Sequence, residues 1–178
     1  MKKYAVIALS GGLDSCSLLL NLLSKNYSVT ALSFNYGQKH LVEVRMAKKI
    51  VRFLSKKFSI KHKIVDISSL SSILDSSLTT EESIPEGHYE KDNMISTVVP
   101  NRNKIFLSIL QAAALSKLKK VEQKITIAMG VHAGDISTYP DTRLDFIKKD
   151  YNAFLSGNWN SKNVIYYMPY INMKKLMF

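Results

Sequence analysis

The chain has 178 residues, of which 46% are hydrophobic and 10% aromatic, so its size and composition are those of one domain with a buried core. Its one cysteine, Cys16, excludes an internal disulfide, a CxxC redox pair and a thiolate-rich metal site within these residues. No apolar run approaches the roughly 20 residues of a membrane span. We therefore expect a single domain over 1–178 in a reducing, cytoplasmic compartment, without a membrane partner.

Short apolar runs alternate with longer helical patterns along the whole chain. The runs predict five strands, at residues 3–9, 28–35, 61–67, 124–130 and 164–168. The longer patterns predict four helices, at Leu13 to Lys25, His40 to Lys57, Arg102 to Lys117 and Thr142 to Leu155. A Ser-rich connection, residues 66–83, is interpreted as a partly ordered loop or short helix. This alternation predicts an α/β fold, a doubly wound parallel sheet of about five strands.

The positive net charge of the chain is only a weak indication of a nucleic-acid partner. The 25 basic and 14 acidic residues give a net charge of +11. Only four of the basic residues are arginines, and lysine is less suited to bidentate recognition of phosphate or bases. The densest basic run, residues 48–63, has apolar residues between its charges and is typical of the solvated face of an amphipathic helix. We therefore do not expect nucleic acid to be the partner.

Three loops with distinctive sequences each follow a predicted strand. They are SGGLDS at 10–15, FNYGQKH at 34–40 and GVHAGD at 130–135. The carboxyl ends of parallel strands meet at one edge of a sheet, where ligands bind in folds of this kind. We expect the three loops to converge on one site.

The first loop has the features of an anion site. Gly11 and Gly12 allow the backbone to approach a ligand closely, and the helix that follows begins with unpaired N–H groups. Ser10 and Ser15 add hydroxyl donors, and Asp14 is suited to holding magnesium or fixing the loop. The alternative is a plain strand-to-helix turn capped by Asp or Ser. The loop is neither a Walker A sequence nor a GxGxxG fingerprint.

The SGGLDS loop resembles that of the ATP pyrophosphatases, which hold the pyrophosphate end of ATP and cleave between its α and β phosphates. The corresponding nucleotide-binding window here is Leu9, Ser10, Gly11, Gly12, Leu13, Asp14, Ser15, Cys16, Ser17, Leu18 and Leu19. Together with residues 34–40, 87–103 and 130–143, the loop makes nearly the whole chain resemble the 7-cyano-7-deazaguanine synthase family of the queuosine pathway. The resemblance implies an adenine-nucleotide alpha hydrolase-like fold of the ATP pyrophosphatase type.

The resemblance also implies a reaction. An enzyme of this family converts 7-carboxy-7-deazaguanine and ammonium to 7-cyano-7-deazaguanine, using ATP and Mg²⁺, through adenylated intermediates. The chain has no room for a glutaminase domain, so free ammonium or a separate partner is implied as the nitrogen source. A homodimer is expected from the family's usual state.

Candidate site residues are carried over from the matching segments. Those assigned to catalysis are Asp14, Arg102, Asp135, Asp141 and Arg143. Those assigned to the substrate are Tyr36, His88, Asn101, Arg102, Asn103 and Tyr139. Aromatic and His side chains suit a flat heterocycle, arginines suit carboxylate or phosphate, and carboxylates suit ring amines or magnesium.

A structural role is the alternative for several of these candidates. Tyr36 and Tyr139 are equally suited to packing. His40 and His132 are candidate catalytic bases, but histidines in such positions more often make structural hydrogen bonds. Asp141 has an alternative as the cap of the helix that begins at Thr142.

The sequence departs from the family near its end. Members carry a C-terminal cysteine cluster that binds zinc, whereas this sequence reaches Phe178 before such a cluster, and Thr142 stands where cysteine is common. We expect a shortened member without zinc ligands. Two alternatives stay open: a related enzyme that modifies another acceptor in a defence or nucleic-acid modification system, and an inactive nucleotide-binding remnant.

Overall fold

A computed structural model describes residues 2–38, 42–73, 99–132 and 139–173. The strands are Lys3–Ala8 (β1), Tyr27–Asn35 (β2), Ile60–Asp66 (β3), Ile125–Ala128 (β4) and Val164–Tyr167 (β5). The α-helices are Leu13–Ser24 (α1), Val42–Leu54 (α2), Arg102–Val121 (α3) and Leu144–Gly157 (α4). Short 3-10 turns cover Ser68–Ser72, Pro140–Thr142 and Ser161–Asn163. No helix in these ranges is long and apolar enough to cross a membrane.

The strands form one sheet in the order β3-β2-β1-β4-β5, and every pairing is parallel. The predicted α/β class and the five strands are confirmed. Because β2 and β3 are added on one side of β1 and β4 and β5 on the other, the order reverses between β1 and β4. Such a reversal leaves a crevice at the carboxyl ends of the two strands, where ligands bind in sheets of this kind.

Both faces of the sheet are covered by helices. On one face, α1 and α2 bury residues such as Leu19 and Ala47 against Ile7 of β1. On the other face, α3 and α4 bury residues such as Leu110 against Val6. Ile7 and Val6 are adjacent and point to opposite faces because side chains alternate along a strand. Burial of β1 on both faces explains its uninterrupted apolar sequence.

Each of the four helices has a bound that differs from the predicted one, and two of these differences have a clear physical cause. Helix α3 continues past Lys117 to Val121, because the apolar pattern persists through the buried Leu118 and only Glu122, with a left-handed backbone, ends the helix. Helix α4 begins at Leu144 rather than at Thr142, which lies in the preceding 3-10 turn and whose hydroxyl donates to the Tyr139 carbonyl at 2.7 Å.

A buried polar cluster joins α3, α4 and β5. The Asp150 side chain, 1% exposed, accepts from Lys104, from Gln111 Nε2 at 3.0 Å and from the Tyr166 hydroxyl at 2.5 Å. Burial, followed by the hydrogen bond to Asp150, raises the pKa of Tyr166 well above its ordinary value, so this phenol stays a neutral donor. Each partner satisfies a carboxylate that would be costly to bury alone.

We predict that Asp150→Ala lowers the free energy of unfolding by about 3 kcal/mol, because it leaves three buried or half-buried polar groups without their acceptor. The matched control is Asp145→Ala on the same helix, whose exposed pair with Lys149 is worth less than about 1 kcal/mol. Urea unfolding of the two variants gives the comparison. Equal losses would contradict a structural role for the Asp150 cluster.

Candidate active site

A cavity of about 570 Å³ opens at the carboxyl edge of the sheet, where the strand order reverses. Its walls come from the segments after β1, β2 and β4, from the first turns of α3 and from the 3-10 turn before α4. The lining includes Ser10, Gly12, Asp14, Ser33, Tyr36, Gln38, Arg102, Asn103, Phe106, Gly130, His132, Tyr139 and Thr142. The predicted convergence of the three loops is confirmed for the described residues.

The end of α1 that faces the cavity carries no side-chain cap. Gly12 is the N-cap residue, and the Cys16 N–H makes the first helical bond, to the Gly12 carbonyl at 3.0 Å. The N–H groups of the preceding turn have no intrahelical acceptor, and they carry the positive end of the helix dipole. Leu13, Asp14 and Ser15 line the cavity. This end of α1 therefore presents backbone donors and partial positive charge to an anion.

The two serines of the loop hold its shape. Ser15 Oγ donates to the Gly12 carbonyl at 3.1 Å and accepts from the Gly11 N–H at 3.2 Å. Ser10 Oγ accepts from the Gly12 N–H at 3.2 Å and lies 3.0 Å from Ser15 Oγ. Both hydroxyls are thus engaged within the loop.

Gly11 and Gly12 are adjacent but have different structural roles. Gly11 has a φ of +91°, and a Cβ there would lie 2.6 Å from the Glu43 carbonyl oxygen and 2.7 Å from the Ala47 nitrogen of α2. The fold itself therefore requires glycine at 11. Gly12 has a φ of −77°, and a Cβ there would meet only Ser10 Oγ, at 3.4 Å. The fold accepts a side chain at 12, so open space in front of Gly12 is available to a ligand.

Asp14 and His132 meet on the β4 side of the cavity. His132 Nε2 lies 3.4 Å from Asp14 Oδ2; the His132 side chain is buried, whereas that of Asp14 is 40% exposed. Gly130 brings this segment close, since a Cβ on it would lie 3.3 Å from the Ser15 nitrogen. Asp14 thus offers a partly exposed oxygen ligand beside the anion-binding end of α1, a donor type that magnesium prefers.

Arg102 lies between two aromatic rings. Its guanidinium carbon is 6.0 Å from the centre of the Tyr36 ring and 5.7 Å from that of the Tyr139 ring. Burial raises the pKa of Tyr36 despite the nearby Arg102, so Tyr36 stays a neutral phenol beside the cation. Tyr36 also packs on Phe106, with ring centres 5.7 Å apart, so it is both a cavity wall and a packing residue.

Asp141 makes a different contact from the helix cap that the sequence offered as its structural role. It does not cap the helix after it; its carboxylate instead accepts from the backbone N–H of Asn103 at 3.1 Å and from Asn103 Nδ2 at 3.0 Å. Asn103 is the second residue of α3, so Asp141 caps α3 from a distant segment. Asn101, the N-cap residue of α3, is exposed and left-handed, and Arg143 is exposed just before α4.

The other candidates either do not line the cavity or lie outside the described residues. In the predicted nucleotide window, Leu18 and Leu19 are fully buried in the core and Ser17 is exposed. Asp135, His88 and His40 lie outside the described residues. No cluster of three or more His, Cys, Asp or Glu side chains that could hold a metal occurs in the described part of the chain.

Sequence reasoning missed Gln38 and Ser33. Gln38 Oε1 accepts from the Tyr36 N–H at 2.9 Å, and Gln38 Nε2 donates to the Phe34 carbonyl at 3.1 Å, which braces the segment that carries Tyr36. The position of Gln38 inside the FNYGQKH loop was the available signal. Ser33 donates to the Leu9 carbonyl at 2.6 Å and had no motif to mark it.

A family model described as "Queuosine biosynthesis protein QueC" matches residues 4–177. The chain belongs to this family. The 7-cyano-7-deazaguanine synthase of Pseudoalteromonas translucida is 40% identical over 99% of this chain and 76% of its own length. The synthase of Caldicellulosiruptor bescii is 43% identical over 96% of this chain and 73% of its own length. The chain is accordingly a queuosine-biosynthesis enzyme of the 7-cyano-7-deazaguanine synthase family.

Solved structures share the fold at low identity. A predicted subunit of tRNA methyltransferase from Methanocaldococcus jannaschii is 17% identical, with a TM-score of 0.56 over 97% of this chain and 70% of that one. The U34-tRNA thiolase NcsA from Methanococcus maripaludis, determined with its [4Fe-4S] cluster, is also 17% identical, with a TM-score of 0.54 over 97% of this chain and 53% of that one. The predicted fold type is confirmed.

We predict that Gly11→Ala lowers the free energy of unfolding by about 2 kcal/mol or more, because it combines a positive φ with a clash against α2. Gly12→Ala is the matched control, and its stability should stay within about 1 kcal/mol of the parent's, because its φ is ordinary and its space open. Thermal unfolding measures both. A similar loss of unfolding free energy at the two positions would contradict the conclusion that the fold requires glycine at 11 but not at 12.

Proposed function

We propose that the chain converts 7-carboxy-7-deazaguanine and ammonia to 7-cyano-7-deazaguanine in one cavity, with release of AMP and pyrophosphate. The observation that carries the proposal is that two anion-binding features line one cavity. They are the uncapped start of α1 and Arg102, which lies beside two tyrosine rings. A reaction that joins a carboxylate to a nucleotide needs both.

The start of α1 is proposed to bind the phosphates of ATP. Backbone N–H groups near Gly12 would donate to phosphate oxygens, and open space in front of this glycine allows close approach. Asp14 would hold Mg²⁺ beside them, and Mg²⁺ would offset the charge of the departing pyrophosphate. His132, next to the Asp14 carboxylate, keeps that side chain at the cavity wall.

Arg102 is proposed to bind the substrate carboxylate. A guanidinium presents paired N–H donors that match the two carboxylate oxygens, and it is always charged. The rings of Tyr36 and Tyr139, whose centres lie 6.0 and 5.7 Å from the guanidinium carbon, suit a flat heterocycle. With the carboxylate oriented here, its oxygen can attack the α phosphorus of ATP held at α1.

The conversion of the carboxylate to the nitrile needs two activations by ATP. A carboxylate oxygen bonds to the α phosphorus while the bond to the bridging oxygen breaks, and pyrophosphate leaves. Ammonia adds to the acyl carbon, loses a proton, and displaces AMP to give the amide. The amide oxygen then attacks the α phosphorus of a second ATP and a second pyrophosphate leaves. Loss of AMP and of both amide protons then leaves the nitrile. Each carboxylate oxygen thus departs on AMP, which is why an adenylating site suits the task.

Three further expectations accompany this proposal. Free ammonium supplies the nitrogen, because the family's synthase reaction needs a nitrogen donor. The active species is a homodimer in the cytoplasm. The assignments of Asp135 and His88 to the site stay predictions, because both lie outside the described residues.

We predict that turnover releases AMP and pyrophosphate, and that ¹⁸O in both carboxylate oxygens of the substrate appears in AMP. The reason is that every C–O bond that breaks does so after adenylation. Mass spectrometry of the nucleotide products provides the test. Release of ADP and unlabelled orthophosphate from an active preparation would contradict the proposal.

We predict that Gly12→Val weakens ATP binding by more than about tenfold, or 1.4 kcal/mol, because the side chain occupies the space in front of the α1 start. Calorimetric titration with ATP and magnesium measures the affinity. Leu20→Ala, on α1 but outside the cavity lining, is the control and should leave ATP affinity unchanged. Normal ATP affinity in a folded Gly12→Val variant would place the nucleotide elsewhere.

A further inference from the structure

The first turn of α3 is held by a carboxylate from a distant part of the chain. Both oxygens of Asp141 are used: Oδ2 accepts from the backbone N–H of Asn103 at 3.1 Å, and Oδ1 accepts from Asn103 Nδ2 at 3.0 Å. Asn103 is 5% exposed and Asp141 is half-buried, so the pair is partly shielded from water. The N-cap residue of α3, Asn101, makes no side-chain cap bond. Asp141 therefore performs the capping that a local side chain ordinarily provides.

This contact fixes two neighbours at once. Asn103 directly follows Arg102, whose guanidinium enters the cavity. Two residues before Asp141, Tyr139 places its ring 5.7 Å from the guanidinium carbon of Arg102. The Asp141–Asn103 pair therefore holds together the two segments that carry Arg102 and one of the rings flanking it.

The geometry of the pair favours this role over direct ligand binding. Each Asp141 oxygen already accepts a hydrogen bond from Asn103, one of them from a helix N–H that needs an acceptor. Taking a ring amine or a metal ion in their place would leave polar groups of a buried residue unpaired, at a cost of about 1–3 kcal/mol each.

We propose that Asp141 is a positioning residue for Arg102: by capping α3 through Asn103, it holds the guanidinium beside the Tyr139 ring, ready for the substrate carboxylate. The inference deepens the proposed function and rests on it for the identity of the carboxylate. It assigns Asp141 no contact with substrate, nucleotide or metal.

Exchange of the two side chains tests this role. In the double variant Asp141→Asn with Asn103→Asp, the amide oxygen at 141 accepts from the backbone N–H at 103, and its NH₂ donates to the new carboxylate. The contact is kept with the charge moved to the other partner. Asp141→Asn alone removes the charge and one of the two acceptor oxygens, and Asn103→Asp alone sets two carboxylates together.

Two measurements are made on each variant. The first is the Nε–Hε resonance of Arg102 in the ligand-free protein, which nearby rings shift; the chain has only four arginines, and loss of one peak in Arg102→Lys assigns it. The second is KM and kcat for the carboxylate substrate. We expect each single variant to move the resonance and to raise KM roughly tenfold with a smaller change in kcat, and the exchange to restore both.

An exchanged variant that keeps the resonance and KM of Asp141→Asn would overturn the proposal, because the charge at 141 would then be what matters. An unmoved resonance in both single variants would overturn it as well. If the exchanged protein does not fold, Asp141→Glu replaces it: the charge stays but the carboxylate shifts, so a displaced resonance supports positioning and an unchanged one refutes it. A resonance that behaves as expected in a protein that never turns over this carboxylate would count against the proposed function alone.

Discussion

The order of the strands in the sheet reverses between β1 and β4. The connections after β1 place β2 and β3 on one side of it, and the later connections place β4 and β5 on the other. The helix that follows β1 and the segment that follows β4 leave the sheet at this point. The crevice between them needs no dedicated lid or second domain to exist, since it is a product of strand order. The described groups that the proposed function uses directly, Gly12, Asp14, Tyr36, Arg102 and Tyr139, line this crevice.

Close backbone approach keeps the start of α1 in place on both sides. Gly11 lies against the backbone of α2, and Gly130 lies against the backbone at the start of α1. The Ser10 and Ser15 hydroxyls close the loop from within. With its surroundings this constrained, the loop presents backbone donors in a fixed arrangement before a ligand arrives, and preorganised donors lose least when charge develops.

The opposite wall is built differently. It depends on aromatic packing, with the Phe34 and Phe106 rings stacked at 4.0 Å and Tyr36 tilted against Phe106. Polar contacts then set the start of α3, and the buried Asp150 cluster anchors its next turns to α4 and β5. One wall therefore uses backbone geometry and the other uses side-chain packing. This division suits the proposed function, in which one wall binds a constant phosphate group and the other binds a specific heterocycle.

The sequence was sufficient for most of the fold, because β1, α1 and β2 have strong apolar patterns and their bounds follow the pattern closely. The glycine loop was recognisable because paired glycines between a strand and a helix have few other uses. Asp150 was not recognised, since an acidic residue in an amphipathic helix ordinarily lies on the solvated face, and its partners Gln111 and Tyr166 are distant in sequence. The capping partner of Asp141 was also missed, because local spacing favours the helix that follows.

The central position of β1 has a consequence for biosynthesis of the protein. On one side, Tyr4 of β1 pairs with Ser28 of β2, which is close to it in sequence. On the other side, Tyr4 pairs with Ile125 of β4, which is synthesised much later. As the chain leaves the ribosome, β1, β2 and β3 can associate while one edge of β1 stays without hydrogen-bond partners. An open edge of this kind is a template for pairing with other chains, and non-local parallel pairing is slow. The same strand order that creates the crevice therefore exposes the nascent chain to aggregation until β4 has been synthesised.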